Sequence, residues 1–307
     1  MKMQHTIKDT IGFSGIGLHT GCDVNVRLIP SGEDTGITFL RKDIPGSPAI
    51  RAVASNVVAT SYATTIGAKG VTVSTIEHLM AALYGLGVDN AVVELDGPEV
   101  PVMDGSASHF IEAIEGVGLR AQASPRRHLV IKRPIKVEDR DKYVLFLPSE
   151  EAEFTIDYSI DFSHPMLNKQ TFTGLFSTDV FKEEIAGART FGFLRDIETL
   201  KANGLAKGGS LNNAIVIGDS DILNEDGLRY PDEFVRHKVL DLMGDISLIG
   251  APVIGHLIAH RSGHSLNHRL VQEILRKPAR WDFTDTFAEE KDVALKSTIF
   301  MDGSVPV

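Results

Sequence analysis

The chain has 307 residues, 43% hydrophobic and 23% charged, with 28 Gly and 13 Pro dispersed along it. This excludes collagen-like, low-complexity and disordered classes and leaves room for roughly two domains with real cores. The 31 basic and 41 acidic side chains give −10 with His neutral, which argues against general binding to nucleic-acid phosphates. The single cysteine, Cys22, excludes an intramolecular disulfide and a Cys-pair zinc ribbon.

The first ten residues lack the apolar core of a signal peptide, and no run reaches the roughly 18 apolar residues of a membrane span, so a cytoplasmic location is expected. Alternation predicts a strand at Asp23–Leu28, then loops and short strands across 31–70. Ser74 followed by Glu77 has the form of a capping box opening a helix whose Ile76, Leu79, Met80 and Leu83 share a face. A strand at Asn90–Leu95 and a helix through Ser108–Ile114 follow. The second half repeats this order: strands at Val144–Pro148 and Phe154–Ile160, a helix at Glu233–Leu242, a strand at Pro252–His260 and a helix at Leu266–Leu275. Sliding the halves by 159 residues superposes His78 on His237 and Gly85 on Gly244.

The expected fold is therefore α+β, with two domains of related topology, 1–126 and 127–307. Each is a small sheet packed on helices, and the helices lie between the sheets. The second carries a strand-helix-strand insert near 188–217. If the halves face one another, His78 and His237 meet at a pseudo-twofold interface.

Eleven histidines concentrate attention on the C-terminal half. His237 and Asp241, four apart on one helix face, can both reach a divalent ion, though the same pattern describes a helix-stabilising ion pair. His78 offers a third ligand from the equivalent helix, and Glu77 beside it can take a proton from an activated water; the alternative makes Glu77 only a cap. His256, His260, His264 and His268 are also four apart, but Gly255 and Gly263 break the segment into strand and turn, so they share no helix face. His264, at an element end, suits a general acid, with Asp245 placed to orient it. The glycines near Gly15 and Gly208 match neither a phosphate loop nor a dinucleotide fingerprint.

Together, Ser74-Thr75-Ile76-Glu77-His78-Leu79, Met103-Asp104-Gly105-Ser106, Ala188-Arg189-Thr190-Phe191-Gly192, Leu223-Asn224-Glu225-Asp226-Gly227-Leu228-Arg229, Asp232 to His237 with Lys238 and Asp241, and Ser262-Gly263-His264 resemble the UDP-3-O-acyl-N-acetylglucosamine deacetylase family over nearly the whole chain. The resemblance implies a zinc-dependent amide hydrolase removing acetate from UDP-3-O-(3-hydroxyacyl)-N-acetylglucosamine, the committed step of lipid A biosynthesis. Its partner is a UDP-linked acylated amino sugar, and its metal Zn²⁺, with Fe²⁺ tolerated.

By the same resemblance His78, His237 and Asp241 are the zinc ligands and Glu77 the general base. His264 is the charged partner backed by Asp245, and Thr190 bonds the oxyanion. Phe191 packs on the sugar, Lys238 contacts the polar part of the substrate, and Phe162 and Arg261 border the uridine diphosphate. The insert forms an acyl passage that includes Gly209. The segment Gly303–Val307 does not match the degradation tail of some enteric members. A small-molecule kinase would need a glycine-rich ATP loop before a helix, and a noncatalytic metal-binding regulator would not need Glu77 and His264 beside the metal. Oligomeric state is not legible in the sequence.

Overall fold

Strict alternation makes the strands. Asp23–Pro30 buries Val24, Val26 and Leu28 and turns the residues between them outward, and Phe154–Ile160 buries every second side chain. The computed structural model describes residues 2–285, so the expectation for Gly303–Val307 lies outside the described residues.

A 5-stranded sheet runs in the order Ile11–Ile16, Asp23–Pro30, Ala91–Leu95, Ile37–Arg41, Ile50–Arg51. A 7-stranded sheet contains the path Ile135–Asp139, Lys142–Leu147, Val253–His260, Phe154–Ile160, Gln170–Leu175, with His128–Ile131 and Trp281–Thr284 added. Along both five-strand paths the pairings are antiparallel, antiparallel, parallel, antiparallel. The repeat expected from element order is thus a repeat of sheet topology. Separately, Met3–Ile7 pairs with Leu119–Pro125.

The helices are α1 (Glu77–Leu86), α2 (Ser108–Val117), α3 (Thr178–Val180), α4 (Leu194–Ala202), α5 (Glu233–Ser247) and α6 (His264–Arg276). All of α1 except Tyr84 is buried, and in α5 only Arg236 and Lys238 are not. Helices buried on nearly all sides belong in an inner layer. Here α5 packs along α1 on one side and against Phe154–Ile160 and Gln170–Leu175 on the other. The result is an α+β sandwich with the helices between the sheets.

The two central helices approach closely because Gly244 has no side chain: a Cβ there would lie 2.1 Å from the Glu77 carbonyl oxygen. Gly85, its counterpart in the repeat, receives the ring of Phe181, 2.2 Å from where a Cβ would sit. The insert forms as expected: Phe191–Phe193, α4 and Ile215–Ile217 make a β-α-β unit with parallel strands.

Two local expectations are corrected. The Ser74–Glu77 capping box does not form; α1 starts at Glu77 without a side-chain cap, and the Ser74 hydroxyl donates to Pro98 O at 3.4 Å. Thr75, held at φ 55, turns the chain so that the Glu77 carboxylate leaves the helix end and accepts from Thr64 N–H. In addition, α6 begins two residues earlier than expected, which makes His264 its first residue, and α5 runs on to Ser247.

Candidate metal centre and active site

The N-terminal turn of α1 and the middle of α5 meet beneath a cavity of about 320 Å³. His78 Nε2 lies 3.5 Å and His237 Nε2 3.4 Å from the same atom, Asp241 Oδ1. All three side chains are buried, and they are the cluster that can offer one ligand atom each to a shared ion. His237 Nδ1 is 3.1 Å from Ala188 O, so donation there leaves Nε2 with its lone pair toward Asp241. Burial pushes the His237 imidazole down to about 3, keeping it neutral. Burial opposes ionisation of Asp241, but the ammonium of Lys238, whose Nζ is 2.6 Å from Asp241 Oδ2, helps to hold its carboxyl well below the usual range.

Donor spacing tests whether these residues fit a metal. Tetrahedral coordination with bonds of about 2.0–2.1 Å separates neighbouring ligand atoms by roughly 3.4 Å, which is the separation of Asp241 Oδ1 from each imidazole nitrogen. Two imidazoles and a carboxylate suit Zn²⁺ or Fe²⁺. The residues fit a divalent ion.

Beside the cluster, Glu77 Oε1 is 3.8 Å from His264 Nε2. Glu77 Oε2 accepts from Thr64 N at 3.0 Å, and burial raises its pKa against the opposing pull of His264 and His78. His264 has the opposite balance: burial would lower it, but the charge and hydrogen bond of Asp245, with Glu77 behind, raise it to about 9. Asp245 Oδ2 accepts from His264 Nδ1 at 2.9 Å and from Asn267 Nδ2 at 2.8 Å. A carboxylate pushed up and an imidazole pushed up thus stand side by side, the kind of pairing that suits acid–base chemistry.

Glu77, His78, Thr190, Phe191, His237, Lys238, Asp241, Phe162, Arg261 and His264 all line the cavity, so the chain brings together residues from five separated segments. Asp245 lies directly beneath His264. Thr190 is fixed by its N–H to Gly105 O at 2.8 Å, which gives the Met103–Ser106 motif a physical role. Phe191 meets Phe162 and Phe234 edge-on at 6.1 and 5.0 Å between centroids.

Gly209 is not in the cavity wall. It sits in the return loop of the insert, where the neighbouring Gly208 N–H donates to Leu18 O at 3.0 Å. That loop therefore reaches the cavity through Leu18 and His19, which do line it.

Sequence reading missed His19, Thr64, Glu99 and Asn267. Glu99 is fully buried and holds the Leu18–Cys22 turn: it accepts from His19 N at 2.9 Å, Thr20 N at 2.8 Å and the Thr75 hydroxyl at 2.8 Å. A lone acid within the apolar run Pro98 to Val102 is a legible hint of a buried carboxylate that must find donors.

The profile of the LpxC family, described as UDP-3-O-acyl N-acetylglycosamine deacetylase, matches residues 4–276. The UDP-3-O-acyl-N-acetylglucosamine deacetylase of Myxococcus xanthus is 50% identical over 279 residues, 91% of this chain and 88% of that protein. The one from Citrifermentans bemidjiense is 50% identical over 278 residues, covering 91% and 90%. The one from Acidithiobacillus ferrooxidans is 47% identical over 293 residues, 95% of each. By the length of these matches and the residues they span, the chain belongs to the UDP-3-O-acyl-N-acetylglucosamine deacetylase family.

Proposed function

We propose that this chain hydrolyses the 2-acetamide of UDP-3-O-(3-hydroxyacyl)-N-acetylglucosamine, releasing acetate and the free amine, in the committed step of lipid A biosynthesis. The observation that carries the reading is the convergence of His78 Nε2, His237 Nε2 and Asp241 Oδ1 at 3.4–3.5 Å beside the Glu77–His264 pair. His78, His237 and Asp241 hold the metal, Zn²⁺ in this reading with Fe²⁺ a substitute. A divalent ion there supplies Lewis acidity toward the amide carbonyl and lowers the pKa of water from about 15.7 toward 7.

The chain's own groups do the rest. Glu77 Oε1 takes a proton from the attacking water as its oxygen bonds to the amide carbon. The Thr190 hydroxyl donates to the oxygen that becomes negative. His264, held protonated by Asp245, compensates that charge and delivers its Nε2 proton to the nitrogen as the C–N bond breaks. Phe191 offers an apolar face to the sugar. Lys238 contacts the polar part of the substrate, and Arg261 and Phe162 border the uridine diphosphate.

The insert, whose Thr190 and Phe191 line the same cavity, receives the acyl chain along a passage that includes Gly209. The chain divides into 1–126 and 127–307 in this reading, and the nucleotide-linked substrate places the reaction in the cytoplasm. No helix among the described residues is long and apolar enough to cross a membrane.

The test is acetate release from the acylated UDP sugar by protein as purified, after chelation and after Zn²⁺ is restored, with metal content measured for His78→Ala and His237→Ala. Chelation should abolish turnover, Zn²⁺ should restore it, and both variants should lose metal. Turnover that survives in metal-free protein, or unchanged metal content in both variants, refutes the assignment.

A further inference from the structure

Thr64 touches the carboxylate of Glu77 and that of Asp245, which backs His264. Its N–H donates to Glu77 Oε2 at 3.0 Å, and its hydroxyl donates to Asp245 Oδ1 at 2.5 Å. Its carbonyl accepts from Ile76 N at 3.4 Å, so the same residue grips the chain just before Glu77. Thr64 is buried, and it stands immediately before the strand Thr65–Ala68, while Asp245 belongs to α5 in the other half. The hydroxyl contact therefore ties the segment before Thr65–Ala68 to α5 across the two halves of the chain.

From this geometry we infer that Thr64 is a positioning residue that sets the distance between Glu77 and His264. The inference rests on the proposed deacetylase reading and deepens it. Asp245 has two oxygens and three partners: Oδ2 is shared by His264 Nδ1 and Asn267 Nδ2, and Oδ1 is held by Thr64 alone among the described side chains. Two donors converging on Oδ2 leave the carboxylate free to pivot about that oxygen, and the Thr64 hydroxyl on Oδ1 fixes the rotation. A fixed Asp245 in turn fixes the plane of the His264 ring and thereby the direction of Nε2 toward Glu77 Oε1, 3.8 Å away.

Because the bond to Glu77 comes from the backbone, a side-chain change removes the Asp245 contact and leaves the Glu77 contact in place. Glu77 and Asp245 are thus separable experimentally even though one residue holds both.

The test compares Thr64→Val and Thr64→Ser in the metal-loaded full chain, reading kcat and KM for acetate release together with metal content. Loss of an outer contact of this kind costs about 10- to 100-fold in activity. Thr64→Val should lose that in kcat with KM and metal content held, and Thr64→Ser, which keeps the hydroxyl, should recover most of it. In an Asp245→Ala background the hydroxyl has nothing to hold, so adding Thr64→Val should cost little more.

Near-parent kcat in Thr64→Val, a Thr64→Ser as impaired as Thr64→Val, or undiminished loss in the Asp245→Ala background would each overturn the inference. If Thr64→Val does not fold, Thr64→Ala carries the same expectation; failure of both while Thr64→Ser folds would assign the hydroxyl to folding and overturn the positioning role. A parent protein that releases no acetate would instead sink the deacetylase reading itself.

Discussion

Gly244→Ala tests whether the helix crossing sets the site geometry. An added Cβ at Gly244 would lie 2.1 Å from Glu77 O and 2.8 Å from both Glu77 C and Cα. All of these are backbone atoms, so no side chain can rotate aside. Restoring ordinary contact, about 3.4 Å from the carbonyl oxygen, requires α1 and α5 to separate by roughly 1.3 Å. Overpacking of this kind costs about 1–3 kcal/mol, a fall of a few °C in Tm for a chain of this size.

The effect on catalysis should be larger than the effect on stability. His78 rides on α1, His237 and Asp241 on α5, so a shift near 1 Å opens the 3.5 Å spacing of His78 from Asp241 and moves Glu77 relative to His264. A misplacement of about 1 Å costs on the order of 100-fold in rate. The assay is acetate release with metal content and thermal melting on the same preparation. A variant with parent-like Tm and turnover would show that the helices separate freely and that the crossing does not govern the site.

Three further outcomes follow from the charges. His264, raised to about 9, should set the basic limb of kcat/KM near that pH, and Asp245→Asn should move the limb down; an unmoved limb refutes the pairing. Because the folded value exceeds the ordinary 6.5, His264 stabilises the fold fully below that pH, and the contribution disappears as pH rises through about 9. Arg189→Ala strips the buried Glu233 of its 2.8 Å partner, at a cost of about 3 kcal/mol, the low end for broken buried pairs. The low end applies because Arg189 N and Arg229 N still donate to Glu233; denaturant unfolding that shows no change would refute it.

Periodicity made the strands and central helices legible, because burial of one face leaves a repeating mark in sequence. It also placed His237 and Asp241 on one face, and the repeat carried His78 to them. Sheet order was another matter: the parallel pairing of Ile37–Arg41 with Ala91–Leu95 joins segments far apart in sequence through backbone bonds that no residue type announces. The capping box misled because Ser74 and Glu77 have the right spacing, yet Thr64 N–H competes for the Glu77 carboxylate and wins it for the cavity. Thr64 and Asn267 act through hydrogen bonds to residues distant in sequence or around a turn, and an isolated neutral polar residue has no periodic signature.

The repeat also explains how one scaffold gives its carboxylates different tasks. At equivalent positions α1 carries Ala82 and Leu86 where α5 carries Asp241 and Asp245, so the acids are concentrated on one helix and the other contributes only Glu77. Glu77, Asp241 and Asp245 then face two cationic side chains, Lys238 and protonated His264, which leaves the cluster one negative charge in excess. Buried charge in excess is costly, and a neutral apolar neighbour on α1 cannot relieve it. Burial accordingly pushes Glu77 toward its protonated form, while Asp241, beside Lys238, stays ionised. A divalent cation held by His78, His237 and Asp241 would reverse the sign of the whole cluster, and in the proposed reading that would free Glu77 to act as a base and make the cavity attractive to an anionic substrate. The charge that would complete the proposed chemistry would therefore also favour a substrate bearing phosphates.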